Sequence, residues 1–114
     1  MDKGIYVQLR FKGSNDVAIF KSVAGLQPFD NAAQHLVFSE GKIFGNAFLK
    51  WLAGSAKVVR KEMELSLYDG DLQLSQWMLY NTSLNDYQLN KLQTTEEYLA
   101  FKQIELTAQS IKYI

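Results

Sequence analysis

The side chains that could take part in catalysis are few in this chain. The sequence has one histidine, His35, and no cysteine, so most nucleophile–base pairs lack a partner unless a carboxylate or a lysine supplies one. His35 precedes a predicted strand, and a lone titratable group without partners is most often a loop or surface residue. The sequence therefore indicates no catalytic centre, and we expect a protein that is not an enzyme.

Two carboxylates share one predicted strand. Glu62 and Glu64 are i,i+2 neighbours, which places their side chains on the same face, roughly 6.5–7 Å apart. Paired carboxylates serve glycosidases. However, the apolar residues Met63 and Leu65 alternate with them, and this pattern favours a solvated strand face.

Two other motifs resemble binding sites only in part. Residues 69–71, Asp-Gly-Asp, resemble the start of a calcium loop but lack the remaining ligands and the closing glutamate, so they predict a hairpin turn. Lys57, Arg60 and Lys61 form a basic cluster that is either a solvated turn, the favoured interpretation, or a contact with an acidic patch on a neighbouring subunit. The glycines form no phosphate-binding loop, and we expect neither cofactor nor metal.

Composition is typical of a globular domain. The 114 residues are 47% apolar and 21% charged, enough for one core, and we treat 1–114 as a single domain. Twelve basic and twelve acidic residues cancel, which argues against nucleic acid as the main partner and permits self-association. No run approaches the ~18 apolar residues of a membrane span, and the N-terminus lacks a signal-peptide core. We expect cytoplasmic assembly without membrane insertion.

The segment from Gly45 to Tyr68 organises the rest of the chain. It predicts a short helix over about residues 46–53, with Asn46 as the N-cap and Gly54 as the left-handed residue after its end. Isolated helices shorter than ~12 residues are marginal in water, so this helix has to pack on strands. Its candidate core residues are Phe48, Trp51 and Leu52.

Alternation of apolar and polar residues predicts strands on both sides of the helix. The predicted strands cover residues 5–12, 17–23, 36–41, 62–67, 72–80 and 97–111. Residues 25–34 are predicted to form a loop and 81–95 an irregular polar segment, and a phase break near Ser75-Gln76 predicts a β-bulge. About six or seven strands with one short helix predict a mainly antiparallel β-barrel or sandwich, with the helix packed on its outer face.

Two predicted strands have a polar face. One row is Glu62, Glu64 and Ser66, and the other is Gln103, Glu105, Thr107 and Gln109. These faces meet water, either outside the protein or inside a wide assembly.

The order of segments resembles the tail-tube proteins of contractile phages and contractile injection systems, which are related to the inner-tube proteins of type VI secretion. The matching segments are FKSVAGL (20–26), LVFSEG (36–41), NAFLKWL (46–52), RKEMELSLY (60–68), the stretch around Trp77 and QIELTAQS (103–110). In the same order, the first two are similar to the family's strand ending in a glycine-leucine turn and to the strand before its helix. The next two are similar to its aromatic-rich helix and the alternating strand that follows. The last two are similar to a tryptophan before an asparagine kink and to the closing strand.

The resemblance implies a structural protein that forms hexameric rings, in which strands join across subunits into one barrel around a channel. Ring closure removes exposed sheet edges, and stacked rings form a tube. The implied partners are further copies of the chain, sheath and baseplate proteins, and a protein effector or DNA as cargo, in a phage virion or an injection particle. The implied lumen-facing residues are Glu62, Glu64, Gln103, Glu105 and Thr107. The implied inter-subunit residues are Lys57, Arg60, Lys61 and Trp77.

One departure from the family pattern lies between the glycine-leucine turn and the strand before the helix. The family usually has a long hairpin there that helps rings to pack and stack, whereas this chain has only residues 27–35. The difference leaves room for a specialised ring that initiates or ends the tube at the baseplate. From a different class, a small β-barrel module that binds a peptide or lipid fits the same strand pattern.

Overall fold

The computed structural model describes residues 4–54, 60–90 and 99–114. Its elements are β1 (Ile5–Phe11), β2 (Val17–Ala24), β3 (Gln34–Phe44), α1 (Asn46–Gly54), β4 (Lys61–Asp69), β5 (Leu72–Leu89), β6 (Leu99–Ala108) and β7 (Ser110–Tyr113). The prediction of a mainly β chain with one short helix is confirmed. Among the described residues, no helix is long and apolar enough to cross a membrane.

The strands form one antiparallel sheet that closes on itself. The strand order is β4-β1-β2-β3-β6-β5, and β5 pairs again with β4. The result is the predicted barrel. It has six strands, and the pairing of β4 with β5 closes the sheet. The seventh strand, β7, follows β6 and pairs with the first half of β5.

Side chains fill the interior of the barrel. Inward-facing residues from every strand of the barrel contribute to one continuous core, as expected for a barrel of so few strands. The most deeply buried of them, at most 1% exposed, include Leu9, Phe20, Leu36, Phe38, Leu65, Leu79, Ile104 and Leu106. Any surface that meets a partner therefore lies on the outer wall or at the ends of the barrel.

The two ends of the barrel differ in what covers them. At one end, the helix end, β1 finishes at Phe11 and β3 runs through Phe44 into α1. At the other, the loop end, Ile5 pairs with Asp69 beside the β4–β5 turn. The β2–β3 loop, residues 25–33, crosses this second end.

The short helix α1 covers the helix end. Its residues Phe48, Trp51 and Leu52 are buried, as their spacing predicts. The Phe48 ring stacks on Phe11 with centroids 4.8 Å apart, and the Trp51 ring meets Phe11 edge-on at 5.5 Å. Phe11 belongs to the same buried row of β1 as Leu9. Thus α1 extends the barrel interior at its end instead of lying on the outer wall, because the inward rows supply the apolar surface that it needs.

The N-terminus of α1 is capped from another part of the chain. The sequence predicts Asn46 as the cap, but the Ala47 N–H donates to Asp16 Oδ2 at 2.8 Å. Gly45 has a φ of 93°, and a Cβ there would lie 2.3 Å from the Asp16 carboxyl carbon, so a glycine is required beside the cap. The predicted left-handed Gly54 is also wrong, since this residue ends α1 without a positive φ.

The strand β5 is longer than its pattern predicts. The sequence predicts an irregular segment from residue 81, yet β5 continues to Leu89 and its second half pairs with β6. Asn81 has a left-handed φ of 49°, and the Gln109 N–H donates to the Tyr80 carbonyl at 2.9 Å across the break between β6 and β7. This kink lets one strand pair with β4 first and with β6 afterwards, which an alternation pattern does not show.

The hairpin predicted at Asp69-Gly70 is present, but its two turn residues are Gly70 and Asp71, one position later. Asp69 pairs with Leu72 across a two-residue turn, and Gly70 at the first position has a φ of 62°, which glycine adopts without steric cost. The bulge expected near Ser75 lies one residue earlier, at Leu74, which the β4–β5 register skips.

Candidate functional site

Five polar side chains form a cluster on the outer wall of β3, β6 and β5, which we call the polar network. It contains His35 from β3, Asn85 from β5, and Gln103, Glu105 and Thr107 from β6. His35 lies directly opposite Thr107 in the β3–β6 register. The structure thus brings three of the predicted lumen-facing residues together with His35 and Asn85, which the sequence did not assign to that face.

Hydrogen bonds connect all five members of the polar network. Thr107 Oγ1 donates to Asn85 Oδ1 at 3.0 Å, and Asn85 Nδ2 lies 2.8 Å from His35 Nδ1. His35 Nε2 lies 3.1 Å from Glu105 Oε1, and Gln103 Nε2 donates to Glu105 Oε2 at 2.7 Å. The network therefore joins three neighbouring strands through their side chains as well as their backbones.

The partners of His35 fix the form of its ring. A carboxylate only accepts hydrogen bonds, so Nε2 carries the proton towards Glu105, and Nδ1 accepts from the Asn85 amide. Both ring nitrogens are then engaged within the wall. The interpretation of His35 as a surface residue agrees with its half-exposed side chain, but it lies inside β3 and not before the strand, and it helps to hold the wall together.

The other polar row lies on β4 and is paired with β1. Glu64 accepts a hydrogen bond from the Arg10 guanidinium, and the Lys12 ammonium lies 3.5 Å from Glu62. Met63, between the two carboxylates, is fully buried. Each carboxylate thus faces its own cation on the outer wall, which supports the solvated face over a catalytic pair.

The two predicted lumen rows lie on different walls of the barrel. β4 and β6 are separated by β5 on one side and by β1, β2 and β3 on the other. The two rows are therefore not on neighbouring strands. Sequence alternation identifies outward-facing residues but not the wall on which they lie.

The β2–β3 loop is built around the side chain of Gln34, which is only 6% exposed. Its Oε1 accepts from the Gln27 N–H at 2.7 Å, and its Nε2 donates to the carbonyls of Gln27 and Asp30 at 3.0 and 2.8 Å. Asp30 Oδ1 in turn accepts from the Ala32 N–H at 2.9 Å. One buried amide therefore fixes a loop that has no secondary structure of its own.

Aromatic side chains hold the β2–β3 loop against the barrel. Trp77 Nε1 donates to the Pro28 carbonyl at 2.9 Å, and Tyr113 contacts the rings of both Trp77 and Phe29, with centroids 5.6 and 5.1 Å apart. Trp77 is only 5% exposed and belongs to the core of this chain. Its burial argues against the assignment to an inter-subunit surface, because residues of its own chain already cover most of the ring.

The structure describes two of the three residues of the basic cluster. Lys57 lies outside the described residues. Arg60 is exposed just before β4, and the Lys61 ammonium lies 5.7 Å from the centroid of the Phe11 ring. Lys61 therefore has a partner within its own chain, while both residues remain at the helix end.

The role of the polar network is not identified by a metal site or by a family match. No group of three or more histidine or acidic side chains within the described ranges is placed to hold a metal ion. Comparison with protein-family models and with curated proteins finds no match to this chain.

Three residues whose hydrogen bonds hold the polar network, the α1 cap and the β2–β3 loop were not indicated by the sequence. Asn85 lies in a segment that predicts irregular structure. Asp16 acts on a backbone N–H 31 residues away, and Gln34 acts on backbone groups of the loop that precedes it. Only Asp16 had a usable signal, since an acidic residue in a turn is a ready acceptor for the N–H groups at a helix start.

Proposed function

We propose that this chain is a structural subunit of the tail-tube type, which forms hexameric rings that stack around a channel conducting cargo. One observation carries the proposal: the barrel interior is filled, while the wall of β3, β6 and β5 bears an ordered polar network. A filled barrel has no space for a conduit inside one chain. A channel therefore requires several chains, each contributing a polar wall.

The wall with the polar network is the better lining for such a channel. Its members are hydrogen-bonded to one another, so they present a polar surface with few unmatched charges to a passing cargo. We therefore assign Gln103, Glu105 and Thr107, together with His35 and Asn85, to the lumen. Glu62 and Glu64, each held by a cation of β1, lie on another wall.

The remaining parts of the proposal follow from the resemblance. Neighbouring copies, sheath proteins and baseplate proteins contact the outside of the tube, and a protein effector or DNA passes through it. Assembly takes place in the cytoplasm, and the tube acts in a phage virion or an injection particle. These roles need no cofactor and no catalytic residue.

Negative-stain electron microscopy of the purified protein tests ring formation. We expect six-fold rings and short tubes at high protein concentration. A protein that stays monomeric throughout would overturn the proposal.

Single cysteines test which wall lines the channel, because the natural sequence contains none. In assembled protein we expect Thr107→Cys to react with a small maleimide but not with a bulky polymer-linked one, whereas Glu62→Cys reacts with both. In dissociated protein both positions react with both reagents. Equal reaction of Thr107→Cys with the bulky reagent in rings would remove the polar network from the lumen.

Two alternatives differ in what they predict. A ring that initiates or ends the tube is favoured by the short β2–β3 loop and would give single rings instead of stacks. A ligand-binding barrel would give a monomer with a bound small molecule in native mass spectrometry. The filled interior leaves such a ligand no place inside the barrel.

A further inference from the structure

The hydrogen bonds of the polar network include a chain in which every donor points the same way. The Thr107 hydroxyl donates to Asn85 Oδ1, and Asn85 Nδ2 donates to His35 Nδ1. His35 Nε2 in turn donates to Glu105 Oε1. The chain therefore begins at a hydroxyl, passes through an amide and an imidazole, and ends on a carboxylate that can only accept.

His35 is the member of this chain that can take up a proton near neutral pH. Histidine is the side chain whose charge normally changes between pH 5 and 8, whereas the amide of asparagine and the hydroxyl of threonine keep their hydrogens. The His35 side chain is 50% exposed, so its ring exchanges protons directly with solvent. Its Nδ1, which accepts in this arrangement, is the atom that an added proton occupies.

An added proton on Nδ1 is incompatible with the present orientation of the Asn85 amide. His35 Nδ1 and Asn85 Nδ2 are then both donors, although they lie only 2.8 Å apart. A half-turn of the amide exchanges its oxygen and nitrogen, so that Oδ1 accepts from the protonated ring. Nδ2 then donates to Thr107 Oγ1, which changes from a donor to an acceptor. Every hydrogen bond of the chain is formed again, and no strand has to move.

The added charge meets a carboxylate on the neighbouring strand. On β6, Glu105 lies 3.1 Å from the His35 ring, and on β5, Asp86 lies opposite Glu105 in the register. The last three residues of β2 are uncharged, and the charged residue of the loop before β3 is Asp30, which holds the Ala32 N–H. Protonation therefore converts the contact between His35 and Glu105 from a hydrogen bond to a neutral donor into a charge-assisted one.

We infer that the polar network is a proton-operated switch, in which uptake of one proton by His35 turns the Asn85 amide and reverses the hydrogen bond to Thr107. The two states differ by one positive charge and by the hydroxyl hydrogen that Thr107 turns to solvent. The switch is a property of the single chain. In the proposed ring it adds one positive charge per copy to the channel wall at low pH, and this consequence alone rests on the proposed function.

NMR titration of the full chain tests the switch. The chain has one histidine, so its ring signals belong to His35 without further assignment. Above the midpoint of the titration, the ring nitrogens are expected to show a proton on Nε2 alone. The side-chain amide of Asn85 and the methyl group of Thr107 are expected to shift with the same midpoint as the His35 ring.

Removal of the amide tests whether Asn85 carries the change to Thr107. In Asn85→Leu, His35 still titrates, but the Thr107 methyl signal is expected to lose most of its pH-dependent shift. Asn85 is exposed, so the variant keeps its fold, which circular dichroism verifies. Gln8→Leu, on β1 and away from the polar network, is the control and keeps the full shift.

Two charge variants test the direction of the effect. Asn85→Asp places a group that only accepts beside Nδ1, so it fits only the protonated ring and is expected to move the midpoint to higher pH by about one unit. Glu105→Gln removes the ionic partner of the ring and is expected to move the midpoint to lower pH.

The outcomes separate the switch from the proposed rings, because the titration is carried out on dissociated chains. A neutral ring protonated on Nδ1, Asn85 and Thr107 signals that do not follow His35, or an undiminished Thr107 shift in Asn85→Leu would each overturn the switch and leave the tube standing. Coupled titration without six-fold rings in microscopy would support the switch and overturn the tube.

Discussion

The helix end and the loop end of this barrel are closed by different physical means. At the helix end, α1 places Phe48 and Trp51 on the ring of Phe11, and these three rings are buried. At the loop end, hydrogen bonds from Gln34 fix the chain, and Phe29 stays 80% exposed. Apolar packing thus seals one end, whereas polar bonding at the other end shapes a surface that is still available to a partner.

The largest expected effect separates buried from exposed aromatic residues. Phe48→Ala is expected to lower the free energy of unfolding by about 3–5 kcal/mol, since it opens a cavity in a packed core. Phe29→Ala is expected to lower it by less than ~1 kcal/mol, as for surface substitutions. Urea denaturation followed by tryptophan fluorescence measures both. Similar losses for the two variants would contradict the difference between the ends.

A middle-sized effect is expected from the amide that fixes the β2–β3 loop. Gln34→Leu keeps the apolar volume but removes three hydrogen bonds, and we expect a loss of about 2 kcal/mol. Hydrogen exchange at the Gln27 amide should quicken in parallel. Gln34→Glu is the matched variant: it keeps the acceptor for Gln27 but cannot donate to the two carbonyls, so exchange at Gln27 should stay slower than in Gln34→Leu.

The smallest of the three effects concerns the cap of α1. Asp16→Ala removes the acceptor for the Ala47 N–H and is expected to cost about 1 kcal/mol. Asp16→Asn keeps an acceptor oxygen at the same place and is expected to cost less. Denaturant titrations of the two variants make the comparison. An equal loss for both would show that the negative charge, and not the hydrogen bond, stabilises the helix end.

Local sequence patterns were sufficient for most of the strands, the helix and the β4–β5 turn. Alternation identifies β1 because Val7, Leu9 and Phe11 are buried and the residues between them are not. The Asp-Gly pair predicts a turn because glycine adopts the required φ freely. The spacing of Phe48, Trp51 and Leu52 likewise predicts which side of α1 is buried. In each case the residues that determine the local structure lie within a few positions of one another in the sequence.

The features that the sequence did not predict depend on residues far apart in the chain. The cap of α1 joins positions 31 residues apart, and the contact between His35 and Glu105 joins positions 70 apart. The extension of β5 depends on Asn81, whose left-handed conformation restarts the strand for a different neighbour. The wall to which a polar row belongs is set by strand order, which alternation within one strand does not contain.

The cap that Asp16 supplies to α1 also constrains the order of folding events. A nine-residue helix is marginal by itself, and its acceptor comes from the turn between β1 and β2. The helix is therefore stable only after that hairpin has placed Asp16 beside Gly45. We expect α1 to consolidate on the native side of the folding transition state, so that substitutions within it chiefly accelerate unfolding.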